Sequence, residues 1–280
     1  MIGTAGGKLQ TLSQALAYRA LRLRIQEKMK DRRTTGRNME LTCATIEGIT
    51  GVNHTPESLW VSLHRRKKFT LTQKYSAFAW RGIHGAQKVG EYWIQAKKED
   101  WAPCEYCGVP IESMQHILLE CKASGQEVIW DLARRAWADT AAEWPPISMG
   151  VILGAALMEV KKEDGKKLRG KSRLIQILIS ESAYLIWLIR NEWRIEHEQD
   201  PRKLHTKQEV ENRWWAAINK RRNIDWALTN RRAYGRKALA KKDVKNTWDG
   251  VPDPKVRNDA VGTGVVVGRA SSRRPPGRNR

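Results

Sequence analysis

Phenylalanine is almost missing from this 280-residue chain, which has two copies against thirteen tryptophans. Acid is also scarce: 30 Asp and Glu stand against 51 Lys and Arg, a formal net charge of +21. An excess of that size opposes compaction by self-repulsion and is relieved by a polyanionic partner, so nucleic acid is the default expectation. Charge alone leaves a ribosome or an anionic membrane surface open. Cysteine is too rare for a disulfide scaffold: three of the four copies lie between positions 104 and 121, which suits a reducing compartment and a metal site. The start, Met1-Ile2-Gly3-Thr4, has no apolar signal core, so an intracellular protein of nucleus or cytoplasm is expected. Long hydrophobic runs are missing too. The most apolar stretch, 174–189, is broken by Gln176, Ser180, Glu181 and Ser182 and is shorter than the roughly 20 residues that span a bilayer. It reads as a central buried helix, with no membrane partner.

What is present reads as mostly α. A hydrophobic fraction of 41% supports a folded core. Apolar spacing predicts helices over 9–32, 38–47 (stopping at Gly48), 71–84 with Tyr75, Phe78 and Trp80 facing inward, and 125–138. Thr55-Pro56 reads as an N-cap and first helical residue, and Arg65-Arg66-Lys67-Lys68 closes that helix. The segment 151–157 is apolar and fits strand or helix. Two long helices, 172–198 and 206–229, form a hairpin with Trp214, Trp215, Ile218 and Trp226 on one side. The expected organisation is a helical bundle with an inserted zinc knuckle and a long C-terminal helical hairpin. Its parts are a basic N-terminal helix (1–36), a helical zinc-binding domain (37–160), a charged linker (161–171), the hairpin (172–235) and a basic, largely disordered tail (236–280).

The clearest chemistry lies in Cys104-Glu105-Tyr106-Cys107-Gly108 and Ser113-Met114-Gln115-His116-Ile117-Leu118-Leu119-Glu120-Cys121, a C-x2-C-x8-H-x4-C pattern. Zinc favours four thiolate or imidazole ligands in a tetrahedron, and two cysteines two residues apart chelate on a turn. Gly108 is placed for the positive φ such a turn requires. His116 and Cys121 are five apart, which suits no single face of an α-helix. His116 is therefore expected on a short helix with Cys121 at or beyond its end. Four protein ligands fill a tetrahedron, so Cys104, Cys107, His116 and Cys121 are expected to hold one structural zinc ion rather than a catalytic one.

Other candidates are weaker. Arg65, Arg66, Lys67, Lys68, Arg221, Arg222, Arg231 and Arg232 are candidate phosphate contacts, although basic helix faces are commonly just solvated. Glu196, His197, Glu198, Asp200 and His205 fit either a second metal cluster or, preferably, a solvated helix end. His64 and His84 have no evident partner. The tryptophans fit base stacking or, more commonly at helical spacing, core packing. No P-loop, nucleophile elbow or carboxylate set for two magnesium ions is present, so no catalytic residue is assigned.

The run Phe78-Ala79-Trp80-Arg81-Gly82-Ile83-His84-Gly85, then Lys88-Val89-Gly90-Glu91-Tyr92-Trp93 and the cysteine–histidine pattern, resembles the zinc-binding region of reverse transcriptases from non-LTR retrotransposons. It is more closely similar to fungal retrotransposon-derived proteins that carry this region after a ribonuclease H domain. The stretches 12–19, 180–187, 212–219 and 227–235 also resemble theirs, so the likeness reaches to about Trp248. The resemblance implies a non-catalytic module holding an RNA template or target DNA. It also implies an upstream ribonuclease H or reverse transcriptase domain that bears the family's catalytic carboxylates. Only the four zinc ligands transfer residue by residue. By that likeness the chain looks like a C-terminal fragment or decayed copy of such an element. A protein–protein assembly domain, built on the apolar, tryptophan-rich stretch 174–226, is the alternative.

Overall fold

The computed structural model describes residues 13–28, 33–64, 70–138 and 142–252. It is almost wholly helical, with one isolated antiparallel bridge, Lys161 to Lys167, and no strand among the described residues. Its axis is the expected buried helix, Arg169–Asn191. Leu174, Ile175, Ile177, Leu178, Ile179, Ala183, Ile186 and Ile189 are all within 1% of full burial. These side chains occupy most of the helix circumference, so neighbours must cover nearly every side.

The chain supplies those neighbours in order. Helix α1 (Gln14–Lys28) is followed by α2 (Arg33–Thr50), α3 (Pro56–His64), α4 (Gln73–Ile83) and the short α5 (Glu91–Gln95). Helices α6 (Gln126–Trp137) and α7 (Met149–Leu153) precede the axial α8 (Arg169–Asn191). Then come α9 (Lys207–Ala227), α10 (Arg231–Tyr234) and α11 (Lys241–Trp248). Helices α4, α6, α7, α9 and α11 all pack on α8. The axis is also long and apolar enough to cross a membrane, yet most of it is buried inside the protein. Here it acts as a core helix.

Several boundaries differ from expectation. Helix α2 runs through Gly48 to Thr50; one glycine costs only roughly 1 kcal/mol, and the Thr50 hydroxyl donates back across it to the Ile46 carbonyl at 2.8 Å. Of helix 9–32, the described part is Gln14–Lys28; Leu16, Tyr18 and Leu23 on it are exposed, so these apolar positions serve no core. Trp80 is likewise exposed, while Tyr75 and Phe78 are buried. The segment 151–157 is helical: α7 and a 3-10 turn, Ala155–Leu157.

The segments on either side of the expected linker share one core. One hydrophobic cluster contains Ile152, Leu157 and Met158 before the linker and Leu174 to Ile189 after it. Helix α8 starts inside it, at Arg169, and its Gly170 lets α11 approach: a Cβ there would lie 2.4 Å from the Asn246 carbonyl oxygen. Helices α8 and α9 pack against each other. Thr206 and Glu209 form the capping box that starts α9, and the Trp214 indole N–H donates to Ser182 Oγ at 2.9 Å. Trp214 and Ile218 are fully buried, but Trp226 is exposed.

The tail expected from 236 onward is also corrected as far as Pro252. Helix α11 buries Val244, Thr247 and Trp248 against α8 and α9. Its Trp248 indole donates to Asp225 Oδ2 (2.8 Å), the carboxylate that also holds Arg173 through a two-point contact of 2.5 and 2.7 Å. A buried acid with those two donors gives the last helix a fixed seat. Residues 253–280 lie outside the described set.

Candidate metal centre

Two small pieces of backbone build the site. Cys104 N–H donates to the Val109 carbonyl and Gly108 N–H to the Cys104 carbonyl, both at 2.9 Å, closing a turn that carries Cys104 and Cys107. Gly108 has φ +71°, the conformation expected of it. The second piece is a single π-helical turn, His116–Glu120. Its closing bond, Cys121 N–H to the His116 carbonyl at 2.7 Å, spans five residues. That explains the awkward spacing: a π turn brings residues five apart onto one side, where an α-helix does so at three or four. Ser113 Oγ accepts from the His116 N–H and starts the turn.

The four side chains converge. Cys104 Sγ and Cys121 Sγ are 3.7 Å apart, Cys107 Sγ and His116 Nε2 are 3.2 Å apart, and all four ligand atoms lie within 4.8 Å of one another. Tetrahedral Zn–S bonds of about 2.3 Å would place two sulfurs roughly 3.8 Å apart. Cys104, His116 and Cys121 are buried and Cys107 is exposed. His116 Nδ1 points to Glu120 Oε2 at 3.5 Å, and Gln115 donates to the other Glu120 oxygen at 2.9 Å. A carboxylate there fixes the ring so that Nε2 is the free ligand atom. A hydrogen bond from Cys121 draws the Cys104 thiol down to about 4, and the same contact, helped by burial, pushes Cys121 up. The Cys3His set is therefore placed to bind a metal ion such as zinc.

Charged contacts that no local spacing reveals join this cysteine–histidine segment to the axial helix. Glu112 is buried between Arg190 and Arg194, contacting Arg190 through both carboxylate oxygens and Arg194 Nη1 at 3.2 Å. Arg194 also donates to the Pro103 carbonyl (2.9 Å) and the Trp101 carbonyl (2.5 Å). Burial, then the charge of Arg190, pulls the Arg194 guanidinium below its ordinary value while Glu112 holds it up. Trp193, on a second π-helical turn (Glu192–Glu196), packs with Cys104, Cys121 and Ala123. Two arginines four apart at the end of an apolar helix are visible in the sequence. Their partner lies 78 residues from Arg190 and is not.

The candidate phosphate ligands are scattered. Arg65, Arg66, Lys67 and Lys68 lie outside the described residues. Arg221 is a structural residue: it is buried, donates to the Thr70 carbonyl at 3.1 Å and faces Asp225 at 3.7 Å. Arg222 lies over the Trp248 ring and donates to the Pro252 carbonyl at 2.9 Å. Arg231 and Arg232 are exposed. The histidine-rich helix end is held by polar contacts. Asp200 accepts from the Arg202 N–H, His197 Nδ1 meets the Lys203 carbonyl, and His205 faces Glu192 at 3.7 Å. Among the described residues, Cys104, Cys107, His116 and Cys121 are the one group close enough to share a metal. His84 is held by Thr35 at 2.9 Å, between Trp60 and Trp80.

Fold and site together define an all-helical protein with a Cys3His metal-ligand cluster mounted on the end of its central helix. No family model, curated protein or solved structure matches the chain.

Proposed function

We propose that this chain is a non-catalytic, zinc-containing nucleic-acid-binding module, the C-terminal part of a retrotransposon-derived reverse transcriptase or ribonuclease H protein. The observation that carries the reading is the Cys3His set within 4.8 Å on a chain of net charge +21. Three thiolates and one imidazole are the donor set zinc favours. Such a centre has a formal charge near −1, so it orders the fold and leaves phosphate binding to lysines and arginines elsewhere. The likeness of the motif order to the non-LTR zinc-binding region favours an RNA template or target DNA as partner and an upstream enzyme domain as companion. The assembly reading is less favoured, because the 174–226 stretch puts most of its apolar side chains, Trp214 and Ile218 included, into its own core.

Metal analysis together with a salt titration tests it. Purified protein is expected to carry one zinc per chain. Its affinity for RNA or DNA should fall steeply with salt, log K against log salt having a slope that counts the phosphates neutralised. Absence of stoichiometric zinc, or no nucleic-acid binding at low salt, defeats the reading.

A further inference from the structure

Beyond α9 the surface changes character. Residues 231–245 carry Arg231 and Arg232 on α10, Arg236 and Lys237 on the 3-10 turn that completes this loop (Gly235–Lys237), and Lys241, Lys242 and Lys245 on α11, all exposed, against a single carboxylate, Asp243. None of these cations is within ion-pair distance of an acid among the described residues, whereas Arg173, Arg190, Arg194 and Arg213 all are. The loop is held at both ends. Leu239 N–H donates to the Leu228 carbonyl at 3.0 Å, so the four loop cations stand on one short excursion. Helix α11 follows at once and is seated by Val244, Thr247 and Trp248. At 100° per residue its three lysines span roughly 100° of arc on the side that this seating leaves free. Two large aromatics are in the open here, Trp226 (44% exposed) at the end of α9 and Tyr234 (42%) within the loop.

Unpaired cations on a fixed scaffold repel one another unless an anion lies across them. Together with exposed aromatic rings they match the two needs of an unpaired strand, a charged track for the backbone and flat faces for bases. An anionic membrane suits the cations but not the shape, because α11 turns its apolar side inward and offers a bilayer nothing to bury. We infer that residues 226–245 form the binding surface for single-stranded nucleic acid, with phosphates on Arg231, Arg232, Arg236, Lys237, Lys241, Lys242 and Lys245 and bases stacked on Trp226 and Tyr234. This rests on the nucleic-acid reading above and places the contact away from the metal centre and from Arg221 and Arg222.

The test uses the zinc-loaded full chain and fluorescence anisotropy with a labelled oligo(U) or oligo(dT), a duplex of equal length, and phosphatidylserine vesicles. Replacing Arg231, Arg232, Arg236 and Lys237 by alanine should lower the salt slope by about 2 to 3, at ~0.7 per phosphate contact, and weaken single-strand binding more than tenfold. Trp226→Ala should cost roughly fivefold or more in single-strand affinity while leaving the salt slope unchanged. These side chains are exposed, so unchanged melting temperatures are expected of both variants. Variants that bind like the parent would overturn this surface while leaving a nucleic-acid function in place. Equal affinity for the duplex, with no effect of Trp226→Ala, overturns the single-strand assignment. If the parent binds vesicles and no oligonucleotide, both the surface and the function beneath it fall.

Discussion

At the residue scale, the four cysteines are not equivalent. Cys43 is buried in the main core on α2, away from the other three. Cys43→Ser is expected to keep one zinc per chain, whereas Cys104→Ser or Cys121→Ser should lose it; elemental analysis of the purified variants distinguishes them. Glu112 is the residue on which the knuckle's attachment turns. Glu112→Gln leaves Arg190 and Arg194 buried without their counter-charge, and breaking such a pair costs about 3–5 kcal/mol. A denaturant melt should register that loss. Gly90 carries a tighter constraint: φ is +44° and a Cβ would lie 2.1 Å from the Glu112 carbonyl oxygen, so Gly90→Ala should loosen the same junction. Glu181 runs the other way. Burial raises its carboxyl above the ordinary range, opposed by Arg221 and Lys220 and reinforced by Asp225, and one of its oxygens has no hydrogen-bond partner. A raised carboxyl means the folded state resists the ionised form, so Glu181 costs stability at neutral pH. That cost disappears as pH falls through the raised value. Glu181→Gln is therefore expected to raise the melting temperature at pH 7, with the gain fading toward pH ~4, where the parent is itself protonated.

At the scale of elements, the two π-helical turns account for the site's geometry. One puts His116 and Cys121 on the same side; the other lets α8 deliver Trp193 beneath the sulfurs. Helix α11 shows how a strongly charged segment becomes ordered. Three of its eight residues, Val244, Thr247 and Trp248, are buried, and its tryptophan closes on the Arg173–Asp225 pair. Trp248→Ala removes a large buried ring and one of Asp225's donors, a change worth roughly 3–5 kcal/mol. Hydrogen exchange should then show α11 opening together with the start of α8, where Gly170 meets Asn246.

For the whole molecule, the division of labour between two hydrophobic clusters sets what metal removal does. The large cluster joins α2 to α11 and contains Ile117 and Leu118 of the π turn; the small one is Cys104, Cys121, Ala123 and Trp193. Chelation should therefore lower the melting temperature and remove hydrogen-exchange protection around 101–123 and 192–205. Most far-ultraviolet helical signal should survive. Loss of the whole helical signal on chelation would mean that the metal, not the large cluster, holds the bundle.

The amino-acid sequence alone determined the mostly helical class, the buried central helix and the cysteine–histidine group that could hold a metal. Each rests on local spacing or on residue types with few chemical alternatives. It misplaced the end of α2 and the tail, and it counted Arg221 among surface cations. Those depended on distant partners: Asn246 for Gly170, Asp225 for Arg221 and Trp248, Glu112 for Arg190 and Arg194. Charge on a side chain is written in the sequence, but whether that charge faces solvent or a buried acid is settled only when remote segments pack. Burial makes an unpaired charge costly, so packing selects which cations are structural and which stay free for a partner.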